Sequence, residues 1–226
     1  MSPLVPEPVA FYPLNKQFTT NDVKKRRQIK GNASSVAFTR GPFNASGGAY
    51  EFPGSCSSYI EFPNGGGILD VKHSITLMCW VRPGGRDGPI FNYNKANWGV
   101  HLWIVSGTAF IRITEAGTHA FQPSINTYAL RVGKWVHVAA TYNHTSGDNS
   151  IYVNGKLNST TKVRPAFRIS TNDSEVRMGA RIGDGRCFKG AITQMVVYNV
   201  ALNAKQIMAV AEMNAGKKKL KRVEAM

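Results

Sequence analysis

The densest set of groups suited to recognition chemistry lies between residues 86 and 103: Arg86, Asp87, Asn92, Tyr93, Asn94, Lys95, Asn97, Trp98, His101 and Trp103. An aromatic ring packs against the apolar face of a sugar, while planar amides and charges match its hydroxyls, so the mixture points to carbohydrate recognition. His101 and Trp103 share one parity of the run 98–105 and therefore one face of a strand. Where that face is concave, they form a platform. Trp98 follows a polar loop and reads either as an exposed stacking ring or as a core indole. Arg181, Asp184 and Arg186 sit on a loop before the last strand-like run and are placed at the rim of the same end. The candidate ligand-binding set is Asn92, Tyr93, Asn94, Trp98, His101, Trp103, Asp184 and Arg186.

Catalytic chemistry finds less support. Glycoside hydrolysis needs two carboxyl groups flanking one bond, and the 13 acidic residues are scattered. Asp173 and Glu175 stand close together, but in a loop beside Asn172, where a solvated turn is the expected reading. There is no His-Glu-x-x-His, no Gly-x-Ser-x-Gly and no phosphate-cradling loop, since Gly183-x-Gly185 lacks the required continuation. His101 and His119 have no metal-ligand spacing, and His137 reads as a packed histidine.

The formal charge is +15, much of it in two runs: Lys24, Lys25, Arg26 and Arg27, then Lys217, Lys218, Lys219, Lys221 and Arg222. Three readings stand: solvated segments, attraction to polyanions such as sulfated glycosaminoglycans, and dibasic processing sites. No nucleic-acid-binding motif accompanies the charge, so specific nucleic-acid recognition is not expected. The three cysteines, Cys56, Cys79 and Cys187, allow one internal bridge at most. Asn32, Asn44, Asn143, Asn158 and Asn172 head glycosylation sequons, most of them in turns or loops, and favour a secretory route. Met1-Ser2-Pro3-Leu4 lacks a signal-peptide core, so a mature or partial chain of an extracellular protein is expected. No apolar run reaches the roughly 18 residues of a membrane helix.

The elements that must position these groups are strands. Runs at 9–12, 49–52, 58–62, 74–81, 89–93, 98–105, 109–114, 135–142, 150–153 and 190–199 are β-like and punctuated by Gly/Pro-rich turns. The run 74–81 is apolar on both parities, which suits a central strand covered on both faces, and Pro83-Gly84-Gly85 is read as its end. Residues 16–35 read as a surface loop. Asn154-Gly155 marks a hairpin. One helix is expected over 204–214, capped by Asn203 with Gln206 three residues on. The division is a tail at 1–8, one all-β sandwich domain at 9–214 and a basic tail at 215–226.

The order of motifs is similar to that of laminin G-type domains. It begins with Val9-Ala10-Phe11-Tyr12-Pro13-Leu14-Asn15 and Ala49-Tyr50-Glu51-Phe52-Pro53-Gly54. It continues with Tyr59-Ile60-Glu61-Phe62, Ser74-Ile75-Thr76-Leu77-Met78-Cys79-Trp80-Val81-Arg82-Pro83 and the pair Lys134 to Tyr142 and Ile151 to Lys156. It closes with Phe188-Lys189-Gly190-Ala191-Ile192 and Tyr198-Asn199-Val200-Ala201-Leu202. The resemblance, to the laminin G-like and concanavalin A-like lectin/glucanase superfamily, covers nearly the whole chain. It implies a two-sheet antiparallel jelly-roll β-sandwich with one short C-terminal helix and adjacent first and last strands. It implies a Cys56–Cys187 bridge with Cys79 free in the core, and buried Trp80, Trp135 and His137. The Glu-x-Asp-x-Glu strand of the glucanases is missing. Positions that bind calcium through carboxylates in relatives are Asn15 and Thr193 here, so calcium affinity there is expected to be poor or lost. Asp70, Asp87 and Asp184 are the remaining candidates for a cation. The resulting expectation is an extracellular glycan-binding or adhesion module that is not an enzyme. The alternative is a scaffolding domain that binds extracellular proteins, as a single chain or an oligomer, because fold alone does not settle function.

Overall fold

The computed structural model describes residues 3–24, 30–118, 122–172 and 174–214. Fifteen strands run β1 Ala10–Tyr12, β2 Asn32–Ser34, β3 Ala37–Thr39, β4 Ala49–Pro53 and β5 Tyr59–Phe62. Next come β6 Ile75–Arg86, β7 Gly88–Tyr93, β8 His101–Val105, β9 Thr108–Arg112 and β10 Ile125–Ala129. The last are β11 Val136–Tyr142, β12 Asp148–Val153, β13 Lys156–Lys162, β14 Val176–Met178 and β15 Lys189–Tyr198, followed by helix α1 Ala204–Asn214. The first sheet has the order β13-β12-β11-β6-β15-β4-β3, with β1 also on β15; the second has β10-β9-β8-β7-β14-β5-β2. This is the expected two-sheet antiparallel jelly-roll sandwich. First and last strands are neighbours, Ala10 facing Val197.

The double-sided burial of β6 has a simple cause. Ile75, Leu77, Cys79 and Val81 point into the core between the sheets. Met78, on the other parity, lies under α1 in a second cluster with Ala139, Tyr152, Val196, Tyr198 and Ile207. The helix is held at its start by reciprocal bonds: Gln206 N–H donates to Asn203 Oδ1 and Asn203 N–H to Gln206 Oε1, each at 3.0 Å. At the hairpin, Asn154 and Gly155 both take positive φ, 50° and 77°.

Several expectations need correction. Strand β6 does not stop at Pro83 but continues to Arg86, because Gly190 crosses it there; a Cβ at Gly190 would lie 2.2 Å from the Arg82 carbonyl oxygen. The run 98–105 is a strand only from His101. Strand β2 lies inside the segment read as a loop, β3, β10 and β14 are too short or too polar to stand out, and β13, the second arm of the Asn154-Gly155 hairpin, runs on to Lys162. Trp80 and Trp135 are half-buried rather than core residues. Trp80 lies on the outer side of the first sheet against Phe43 and His137, and Trp135 lies beside Arg82. The segment read as an N-terminal tail is packed from Val5 onward against the helix cluster, and the Leu4 carbonyl accepts from Gln206 Nε2.

The sheets meet through aromatic contacts. Phe62 of β5 is fully buried, its ring centroid 4.4 Å from Tyr12 and 5.7 Å from Phe91. Phe62→Ala is expected to lower the unfolding free energy by about 3–5 kcal/mol, read as a lower urea midpoint at unchanged slope.

Candidate functional site

Register builds the site. Across the outer face of the second sheet, Arg112 of β9 faces His101 of β8, and His101 faces Asn92 of β7. Asn92 then faces Arg177 of β14, Arg177 faces Glu61 of β5, and Glu61 faces Asn32 of β2. Residues directly opposite one another share a face, so this is one row spanning six strands. A second row pairs Trp103 with Phe110.

The two ends of the row differ in charge. At the β5 end, Glu61 bonds Arg177 at 2.8 Å and Lys95 at 3.2 Å, Lys95 also reaches Glu175, and Arg177 lies over the Tyr59 ring. Positive and negative groups balance. At the β9 end, the loop 181–187 folds over the sheet and adds Arg181 and Arg186 to Arg112. Arg181 lies 4.4 Å from the Trp98 centroid and 5.4 Å from that of Trp103. Arg186 lies 4.7 Å from Trp103, and Arg112 lies 5.8 Å from Trp98 and 5.1 Å from Phe110. Asp184 is the carboxylate bonded to this group, to Arg181 at 2.9 Å and to Arg186 at 2.7 Å; Asp87 acts on Arg186 from farther off.

The environment fixes protonation. Hydrogen bonds from Arg186 hold the Asp184 carboxyl down at about 2. His101 is held down at about 3, first by burial and then by the charges of Arg112, Arg181 and Arg186. It is therefore a neutral ring at physiological pH, and its Nδ1 has no hydrogen-bond partner. His137, across the molecule, is lowered to about 4 by burial alone.

The structure gathers Trp98, His101, Trp103, Asp184 and Arg186 as the sequence suggested, but in different roles. His101 and Trp103 are only 3% and 2% exposed, covered by the arginine loop, so they are not an open platform. Trp98, at 37%, is the ring that reaches solvent. Asn92 is fully buried: its Oδ1 accepts from Trp103 Nε1, and its amide donates to the Tyr93 and Asn94 carbonyls. It orients the indole. Tyr93 is a core residue on the opposite face, with its hydroxyl donating to Leu69 O, because the sheet alternates. Asn94 shapes the turn before Trp98, at φ 60° with Oδ1 accepting from Asn97 N–H. Arg112, Arg177, Glu61 and Phe110 escaped the sequence reading, since nothing local reports which residues lie opposite each other.

The loop is tied down by the disulfide Cys56–Cys187, with Cys79 free and buried, as the resemblance implied. Asn32, Asn44 and Asn172 are exposed, whereas Asn143 and Asn158 are half-buried. Asn32 and Asn158 lie on strands rather than in loops. Lys24 pairs with Glu7; Lys25, Arg26, Arg27, Lys217, Lys218, Lys219, Lys221, Arg222, His119 and Asp173 lie outside the described residues. Asn15 Oδ1 accepts from Phe18 N–H, and the Thr193 hydroxyl donates to Pro13 O. Among the described residues no three His, Cys, Asp or Glu side chains group as metal ligands, and Asp70, Asp87 and Asp184 do not converge.

The two-sheet sandwich carries this aromatic and cationic cluster on one outer face. The chain belongs to the concanavalin A-like lectin/glucanase superfamily: the Laminin_G_3 family matches residues 53–208. No curated protein matches the sequence. Among solved structures, the botulinum neurotoxin serotype G binding domain aligns at TM-score 0.74 and 16% identity, over 95% of this chain and 53% of that one. Domain 4 of AbnA, a GH43 extracellular arabinanase from Geobacillus stearothermophilus in complex with arabinotriose, aligns at 0.69 and 18%, over 91% and 98%. The botulinum neurotoxin serotype D ligand binding domain in complex with N-acetylneuraminic acid aligns at 0.69 and 15%, over 91% and 50%. The chain spans about half the length of both neurotoxin domains. At these identities the likeness is one of fold.

Two predictions follow from the site's geometry. Both buried histidines are neutral in the fold, so the unfolded chain takes up protons first as pH falls below about 6.5. Their stabilisation is complete above that value and is lost progressively toward the folded values near 4 and 3. Urea unfolding at about pH 7 and about pH 4.5 should show the loss, smaller in a His101→Asn, His137→Asn variant; equal slopes in both proteins would contradict the burial. The disulfide closes a sequence separation of 131 residues, and Cys56→Ser with Cys187→Ser should cost about 2–5 kcal/mol, read as a lower melting temperature.

Proposed function

We infer that this chain is a non-catalytic carbohydrate-recognition module of an extracellular protein. The observation that carries the reading is Trp98: an indole more than a third exposed, carried on the loop that leads into β8 and framed by Arg112 and Arg181. The ring buries the apolar face of a sugar, and fixed donors around it bond the hydroxyls, the usual composition of a small-ligand site. Two of the structural neighbours, one complexed with arabinotriose and one with N-acetylneuraminic acid, support the reading.

Glycoside hydrolysis needs a protonated carboxyl opposite an ionised one, and Asp184, held near 2 by Arg186, does not supply the acid. Calcium is not needed for the proposed contact; Asn15 Oδ1 accepts from Phe18 N–H, and the Thr193 hydroxyl donates to Pro13 O. The disulfide and the exposed sequons at Asn32, Asn44 and Asn172 support a secreted or extracellular setting. No described helix is long and apolar enough to cross a membrane.

A second reading, docking of a protein partner, draws on the other sheet. Phe38 and Phe43 are 42% and 53% exposed there, and Phe43 packs edge-on against Trp80.

A glycan array should return saccharide hits at physiological salt. Trp98→Ala should weaken the best hit by about tenfold or more, as removal of a central tryptophan anchor does, while leaving the melting temperature within a few degrees. Saccharide binding that survives Trp98→Ala but not Phe43→Ala would move the site to the opposite sheet.

A further inference from the structure

The arginine cluster is unusual in what it lacks. The Arg181 side chain is only 10% exposed. Its Nη2 is bonded to Asp184, yet Nε and Nη1 are buried without a hydrogen-bond partner. Buried donors of a charged group are costly to leave unmade, and orphaned ones call for a specific explanation. Two further guanidinium groups, Arg112 and Arg186, crowd the same spot; Arg112 is held below its ordinary range by burial and by Arg186. Asp184 bonds Arg181 and Arg186, and Asp87, which accepts from Ser106 N–H, acts on Arg186 from farther off. At the other end of the same row Glu61 and Glu175 answer Arg177 and Lys95.

We propose that this end of the sheet is a receptor for the carboxylate of an acidic saccharide, with the sugar ring packed on Trp98 and the carboxylate supplying the acceptor that Arg181 Nε and Nη1 lack. The proposal rests on the carbohydrate reading above and narrows it to a ligand class. A carboxylate suits the place because it is planar, anionic and acceptor-only, and matches the fork of a guanidinium. Trp98, its ring centroid 4.4 Å from the Arg181 guanidinium and 37% exposed, is placed to stack on the sugar that brings the carboxylate to Arg181. The loop 181–187 does not have to be built on binding: the Cys56–Cys187 bridge and the Asp184 bonds to Arg181 and Arg186 hold it in advance. Disulfide reduction should therefore weaken binding of the same ligands.

The test uses the full chain and calorimetric titration at physiological salt. The probes are oligogalacturonate and sialyllactose, their carboxyl methyl esters, neutral arabino-oligosaccharide and lactose, and heparin. The expected result is binding of an acidic probe, lost by about tenfold or more in its methyl ester and in Arg181→Gln. Arg186→Gln, at a side chain 46% exposed, gives the same direction where Arg181→Gln melts too low to titrate. Esters binding as well as acids, or neutral sugars binding best, would overturn the carboxylate assignment and leave the carbohydrate reading standing. Heparin alone binding, unchanged in Arg186→Gln, would overturn it in favour of the basic runs. Silence on every probe would overturn both.

Discussion

The outer face of the second sheet depends on one backbone pairing, that of β15 with β6. Strand β15 enters the centre of the first sheet between β6 and β4 and also carries β1. Gly190 makes the crossing possible where β6 and β15 come closest, and Phe188 is wedged in the core immediately before it. At Gly88 the start of β7 approaches the Phe188 backbone so closely that a Cβ would lie 2.2 Å from its nitrogen. The residues just upstream, 181–187, consequently emerge over the other sheet. A one-residue slip in β15 would turn its whole apolar set around and withdraw Arg181 and Arg186 from Trp103.

That placement sets an electrostatic problem with a partial answer. Guanidinium groups are stacked on indoles, an arrangement that lets a weakly hydrated cation lie against apolar surface. The neutral His101 beneath them is a consequence: a ring surrounded by three arginines and little water has no reason to accept a proton. Asp184 stabilises two of the arginines directly, and its own ionisation is secured by them. Trp98 is the solvent-reaching tryptophan of this cluster.

The fold was legible in the sequence for local reasons. The double-parity apolar run at β6, the Asn154-Gly155 turn and the Asn203/Gln206 cap each report a geometry that a few consecutive residues decide. Where the reading failed, the deciding partner was distant. Pro83-Gly84-Gly85 looks like a terminator, but β15 pairs with it, from Lys189 facing Arg86 to Gly190 facing Pro83, and keeps it extended. Trp80 looks like a core residue by its place in an apolar strand, but its parity sends it to the outer side, against Phe43 and His137.

For the site the division is sharper. Composition alone brought Trp98, His101, Trp103, Asp184 and Arg186 into consideration, since aromatic rings, amides and charges are visible as residue types. Which of them is a floor, which a cover and which a surface was decided by the tertiary structure. Tyr93 and Asn92 are adjacent in sequence and end on opposite faces; Arg112 and Arg177 are 65 positions apart and end in one row with His101 and Asn92. Side-chain period tells a strand which residues share a face, but only cross-strand register says which faces meet, and register is a long-range agreement among strands that no single segment encodes.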